Sequence, residues 1–208
     1  EYIHVEKPDR EAAPSRQFDI SKIDFDLLSR EFAHTRRKNL LLRDLDELVN
    51  QQLAKMLFAN PQRIDYYDRY QEIIDAYNAE QNRATIEKTF MDLMELASSL
   101  DTEQQRYVRE GFSSDEELSV YDLLFSENLT KQEIETIKKV SVDLLTKIKQ
   151  QIAKLDHWTD KQETKAIVDN LIRNTLWQEL PNSYDVSDIQ TYQKKIYEYV
   201  YMRYPEVA

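Results

Sequence analysis

Apolar side chains recur at intervals of three and four along most of this chain, the pattern of helices that bury one face. The first run starts near Ile23, with Phe25, Leu28 and Phe32 in step and Ser21 placed to cap it. The second covers residues 39–58. There Leu41, Leu45, Leu48, Gln52 and Lys55 follow helical steps, Leu42, Val49, Leu53 and Leu57 widen the apolar face, and Asn60-Pro61 ends it. Residues 63–77 carry Ile64, Tyr67, Tyr70, Ile74 and Tyr77. The longest pattern, 84–110, runs through Ile86, Phe90, Leu93, Met94, Ala97 and Leu100 to Tyr107 and Val108, and Gly111 supplies its stop. A short helix is expected over 115–125.

Thr130 opens the next helix, with Glu133 three residues on, the spacing of a capping box. Ile134, Ile137, Val140, Leu144, Ile148, Ile152 and Leu155 then form one stripe. Residues 160–179 predict a further helix with Ile167, Leu171, Ile172, Thr175 and Leu176 inward, broken at Pro181. The last is expected over 186–204 through Ile189, Tyr192, Ile196 and Tyr199. These patterns predict an all-α fold, an irregular bundle of about eight helices without a repeat of fixed period. Residues 1–20, interrupted by Pro8 and Pro14, read as a linker; 21–126 and 127–208 read as two helical sub-bundles divided near the polar stretch 126–129.

Composition sharpens this. One glycine among 208 residues cannot serve the turns of a β-sheet, nor build a phosphate-wrapping loop or a dinucleotide fingerprint. The absence of cysteine excludes disulfides and thiolate metal sites. No stretch reaches the roughly 20 apolar residues of a membrane span, so no membrane association and a cytoplasmic location are expected. The chain begins at Glu1 rather than methionine, and a piece of a longer protein is expected. A net charge of −11 opposes nucleic acid overall, so any contact with it needs a local basic patch working against the global field.

No catalytic or metal site emerges from the residues. His4, His34 and His157 are far apart and match no zinc-binding spacing; His157, between Asp156 and Trp158, reads as a capping or packing residue. Pro8-Asp9 and Glu163-Thr164-Lys165 spell the letters of a metal nuclease, but one half lies in the linker and the other in a helix, and we read the match as chance. Neighbouring carboxylates such as Asp44 and Glu47 read as a solvated face.

Two sets of residues stand out. Arg36, Arg37, Lys38 and Arg43, with Arg30, form the one dense basic cluster. It reads either as a contact for phosphate or an acidic partner, or as a helix junction whose cations offset Asp44, Asp46 and Glu47. The 13 tyrosines crowd towards the C-terminus, where Tyr199 and Tyr201, with Trp158 and Trp177, are candidate interface anchors or core-edge residues.

Several stretches resemble one family. Ile23-Asp24-Phe25 with Leu28 and Phe32, then Arg36-Arg37-Lys38-Asn39, is similar to the helical region that follows the motor domains in R subunits of type I restriction enzymes. So are residues 57–63, 70–78, 93–97 and 116–124, Trp158 with Lys161 ahead of residues 167–173, and the closing 199–205. The resemblance spans residues 20–205 and rests on order and spacing rather than on one motif. It implies a C-terminal assembly region of an ATP-dependent DNA translocase and endonuclease. The implied partners are the modification and specificity subunits of the methyltransferase, with DNA met through the full complex. ATP and magnesium would belong to the upstream motor and nuclease domains, and no cofactor or metal is expected here. Two roles follow as expectations: non-catalytic docking onto the methyltransferase, or contact with DNA beside the motor through Arg36, Arg37, Lys38 and Arg43; with the resemblance set aside, a stand-alone helical scaffold is the third expectation.

Overall fold

The computed structural model describes residues 24–80 and 82–205. The expected linker, the Ser21 cap, His4 and Pro8-Asp9 lie outside them. Nine α-helices occur among the described residues, and no strand: α1 (Phe25–His34), α2 (Lys38–Ala59), α3 (Ile64–Ala79), α4 (Arg83–Gln104), α5 (Arg106–Arg109), α6 (Asp115–Leu124), α7 (Lys131–Ile152), α8 (Gln162–Glu179) and α9 (Val186–Arg203). The chain divides into two compact units, the first ending at Arg106 and the second beginning at Tyr107.

In the first unit α4 packs against both α2 and α3. Leu42, Val49 and Leu53 of α2 meet Phe90, Leu93, Leu96 and Leu100 of α4 and Tyr70 and Ile74 of α3 in one fully buried cluster. Each such side chain contributes about 1.5–3 kcal/mol by leaving water. Helix α1 is capped by Asp24, whose carboxylate accepts from the Leu27 amide at 2.9 Å. It is anchored by Phe32, whose ring stacks on Phe90 with centroids 3.6 Å apart. Asn60 ends α2 and starts the next turn, its side chain accepting from the Gln62 amide, and Pro61 occupies the first position of a 3-10 turn (Pro61–Arg63).

Two polar contacts are sealed into this core. The Tyr70 hydroxyl donates to Asp46 at 2.8 Å. Arg63 and Arg106 both reach the buried Glu103 carboxylate, at 3.0 and 2.8 Å, which ties the turn after α2 to the end of α4.

In the second unit α6 packs on α7, α7 on α8, α8 on α9, and α9 back on α6, a closed cycle of four helices. The expected stripe of α7 is its core face: Ile137, Val140, Leu144, Ile148 and Ile152 are buried, with Ile134 and Leu155 at its edges. Thr130 and Glu133 close the capping box, the Glu133 amide donating to the Thr130 hydroxyl and Glu133 accepting from the Thr130 amide. Asp185 and Asp188 cap α9 by the same reciprocal pair.

Three expectations are corrected. The division between units falls after Arg106 rather than after 126, because Leu118, Tyr121, Leu123 and Leu124 of α6 belong to the core that α7 and α9 share. The single helix expected over 84–110 breaks at Gln105 (φ −91°, ψ 0°), between Leu100, buried in the first core, and Tyr107, packed against the second. Gly111 (φ +84°) then ends α5: its amide reaches Val108 and that of Phe112 reaches Tyr107, the paired bonds of a Schellman cap. Finally, α8 turns the expected Ile172, Thr175 and Leu176 inward, with Leu171 at the core edge, but its first inward position differs. Val168 is buried in place of Ile167, which is 43% exposed.

Candidate functional site

The predicted site residues fall into two separate places, one in each unit. In the first unit the chain leaves α1 at Thr35 and re-enters helix at Lys38. The turn between them borders a cleft of about 570 Å³ lined by Thr35, Arg36, Arg37, Lys38, Asn39 and Arg83 among others. Lys38 is fixed: its ammonium sits 4.8 Å above the Phe32 ring centre and 2.6 Å from Glu87. Arg83 binds the same carboxylate at 3.2 Å. Hydrogen bonds from Lys38 and Arg83 hold the Glu87 carboxyl below the usual carboxylate range.

Arg36 and Arg37 are exposed and have no ion-pair partner among the described residues. Helix α2 begins without a side-chain cap and without an acidic residue in its first turn. Of the expected basic cluster, the structure gathers Arg36, Arg37 and Lys38. Arg43 stands outside the cleft on α2, and Arg83 takes the fourth place. Sequence reading missed Arg83 because nothing local links the start of α4 to the start of α2.

In the second unit the candidate anchors separate. Trp158 is 1% exposed, with its indole N–H donating to the Tyr204 carbonyl at 2.6 Å. Tyr199 is 3% exposed. Both are core residues and offer no face to a partner, which corrects their reading as anchors. His157 adopts φ +45° and its carbonyl accepts from the Asp160 amide, so the turn after α7 delivers Trp158 inward. Tyr201 is 39% exposed and lines a groove of about 460 Å³ with Lys165, Tyr197, Glu198 and Met202.

Trp158 supports that groove from below, its ring meeting Tyr197 and Tyr201 edge-on at 6.2 and 5.7 Å. Lys165 lies 5.6 Å over the Tyr201 ring. Trp177 is 50% exposed but sits twelve residues along α8 from Lys165, about 18 Å at the helical rise. The two exposed candidates are therefore not one patch.

A network holds this face in place. Burial pushes the Glu116 carboxyl up, but the bonded Lys149 ammonium, with Tyr204 and Arg203 beside it, outweighs burial and holds it low. This ties α6 to α7 and α9. Glu163 and Lys165 stand on α8, and His34 is exposed at the end of α1. Among the described residues no three histidine or carboxylate side chains are grouped to hold a metal ion, and no helix is long and apolar enough to cross a membrane.

The profile of one protein family, the C-terminal region of type I restriction enzyme HindI endonuclease subunit-like proteins, matches residues 11–204. No curated protein and no solved structure matches the chain. That match covers all nine described helices and both candidate sites, and the chain belongs to the family of type I restriction enzyme HindI endonuclease subunit-like C-terminal regions.

Proposed function

We propose that this domain docks the motor and endonuclease subunit of a type I restriction enzyme onto its methyltransferase core, itself without catalysis. The observation that carries the reading is the groove between α8 and α9. Tyr197, Tyr201 and Met202 present apolar area there on a rigid base, and Lys165 and Glu198 flank it with opposite charges. Tyrosine gives large contact area at low conformational cost, and a groove braced by a buried tryptophan needs little reordering when a partner arrives. Acidity supports a protein partner over bare DNA, since neutralising phosphate drives nucleic-acid binding. ATP and magnesium belong, in this reading, to motor and nuclease domains outside this chain.

Competition tests the proposal. Excess chain added to a mixture of the full-length subunit and methyltransferase should displace the subunit in sedimentation velocity. The Tyr201→Ala, Met202→Ser variant should displace it at least roughly tenfold less well, the effect of losing an interface anchor. Equal displacement by variant and wild type would move the docking surface elsewhere. No displacement by either would remove the docking role.

A further inference from the structure

We propose that the cleft at the α1–α2 turn binds the phosphodiester groups of a nucleic-acid backbone. Four cations, Arg36, Arg37, Lys38 and Arg83, line the cleft in a chain whose overall charge is −11, and one carboxylate, Glu87, is bound to two of them. Such a local excess of positive charge in an acidic chain suits an anionic ligand. Glu87 is engaged by Lys38 and Arg83, and Arg36 and Arg37 have no ion-pair partner among the described residues.

The amides of Lys38 and Asn39 at the start of α2 have no acceptor among the described residues either, since the first turn is closed by the Leu40 and Leu41 amides on the Arg37 carbonyl. Guanidinium forks and free amides together match phosphate oxygens. Rigid supports fix the cleft: Phe32 stacked on Phe90 holds the end of α1, and Glu87 binds Lys38 and Arg83 together. An open cleft whose Arg36 and Arg37 guanidinium groups are exposed, and unpaired among the described residues, fits a continuous chain of phosphates better than one enclosed ion. Arg43, outside the cleft, plays no part.

The test is fluorescence anisotropy of a labelled DNA duplex titrated with the chain over a salt series. Wild type should bind at low salt. Arg36→Glu with Arg37→Glu should weaken binding roughly tenfold or more and lower the salt slope by about two, one per lost phosphate contact. Arg36→Ala with Arg37→Ala should give the same change in slope with a smaller loss of affinity. Circular dichroism should be unchanged in both, because the side chains are exposed. Arg43→Glu should bind as wild type.

No duplex binding by the wild type, unaltered binding by the double variants, or an equal loss in Arg43→Glu would overturn the proposal. Displacement of the duplex by inorganic phosphate at matched phosphate concentration would overturn it too, assigning the cleft to the free ion. The proposal does not rest on docking, and the double variants should still displace the full-length subunit from methyltransferase.

Discussion

Removing the Trp158 side chain should unfold the second unit at much lower denaturant while leaving the first nearly untouched. The indole is buried, its N–H holds the Tyr204 carbonyl at 2.6 Å, and its edges support Tyr197 and Tyr201. Truncation of a buried tryptophan costs about 3–5 kcal/mol through lost transfer energy and the cavity left behind. Trp158→Phe keeps most of the ring but removes the donor. Its cost should be about 1 kcal/mol, the net worth of one hydrogen bond to a half-buried carbonyl.

Tryptophan fluorescence reads this unit selectively, because both tryptophans, at 158 and 177, lie beyond its first residue, Tyr107. In Trp177→Phe the remaining emission should be blue-shifted and resist acrylamide quenching. In Trp158→Phe it should be red-shifted and readily quenched. Urea titrations of Trp158→Ala, followed by circular dichroism, should show one transition displaced and one retained. A loss below about 1 kcal/mol would refute the burial argument, as would quenchable emission from Trp158.

Glu103→Gln should destabilise the first unit by about 3 kcal/mol, since it leaves the buried Arg63 charge without its carboxylate; a urea midpoint within error of wild type would contradict this. Asp46 should give a pH signature. Burial raises its carboxyl above the ordinary value, against the Tyr70 hydrogen bond and with help from Glu47. The folded form therefore binds the proton more tightly, and the stability this confers is complete below the unfolded pKa and lost as pH rises through the folded one. Asp46→Asn, which keeps an acceptor for Tyr70, should remove that fall and be the more stable form at neutral pH; a steeper fall in the variant would contradict it. Glu116 in the second unit should act with the opposite sign. Its lowered pKa gives stability present above the unfolded value and lost as pH falls through the folded one, and Glu116→Gln should abolish that acid-side loss. Gly111→Ala should cost about 1–2 kcal/mol, the strain of φ +84° alone, because an added Cβ meets nothing within 4 Å; a loss well beyond that in a urea titration would point to a steric clash.

Where a signal is local, the chain could be read directly. The Thr130–Glu133 box needs only a hydroxyl and a carboxylate three residues apart, and the stripe from Ile137 to Ile152 needs only one period. The boundaries of α2, α3 and α9 followed from Asn60-Pro61 and from the reach of each apolar run. Where two cores compete, local pattern was ambiguous. Leu100 and Tyr107 are in step along one helix, yet they serve different units, and the chain breaks between them at Gln105. Ile167 and Val168 are equally apolar, and only packing against α7 and α9 decides which turns inward.

The sites were least legible. Burial of Trp158 depends on the His157 turn and on a carbonyl 46 residues away. The cleft depends on Glu87 binding Lys38 across 49 residues. In both places the side chains carrying the chemistry are joined by tertiary contacts that no short window contains. The reciprocal Asp185–Asp188 cap, by contrast, was available in sequence as a carboxylate pair at capping spacing.

The central claim, that this domain holds the motor subunit to its methyltransferase, is tested most directly by calorimetric titration of the purified chain into the purified methyltransferase core, with and without DNA. Saturable binding of micromolar affinity or tighter is expected in both conditions, with heat lost in the Tyr201→Ala, Met202→Ser variant. Absence of binding in both conditions would contradict the claim.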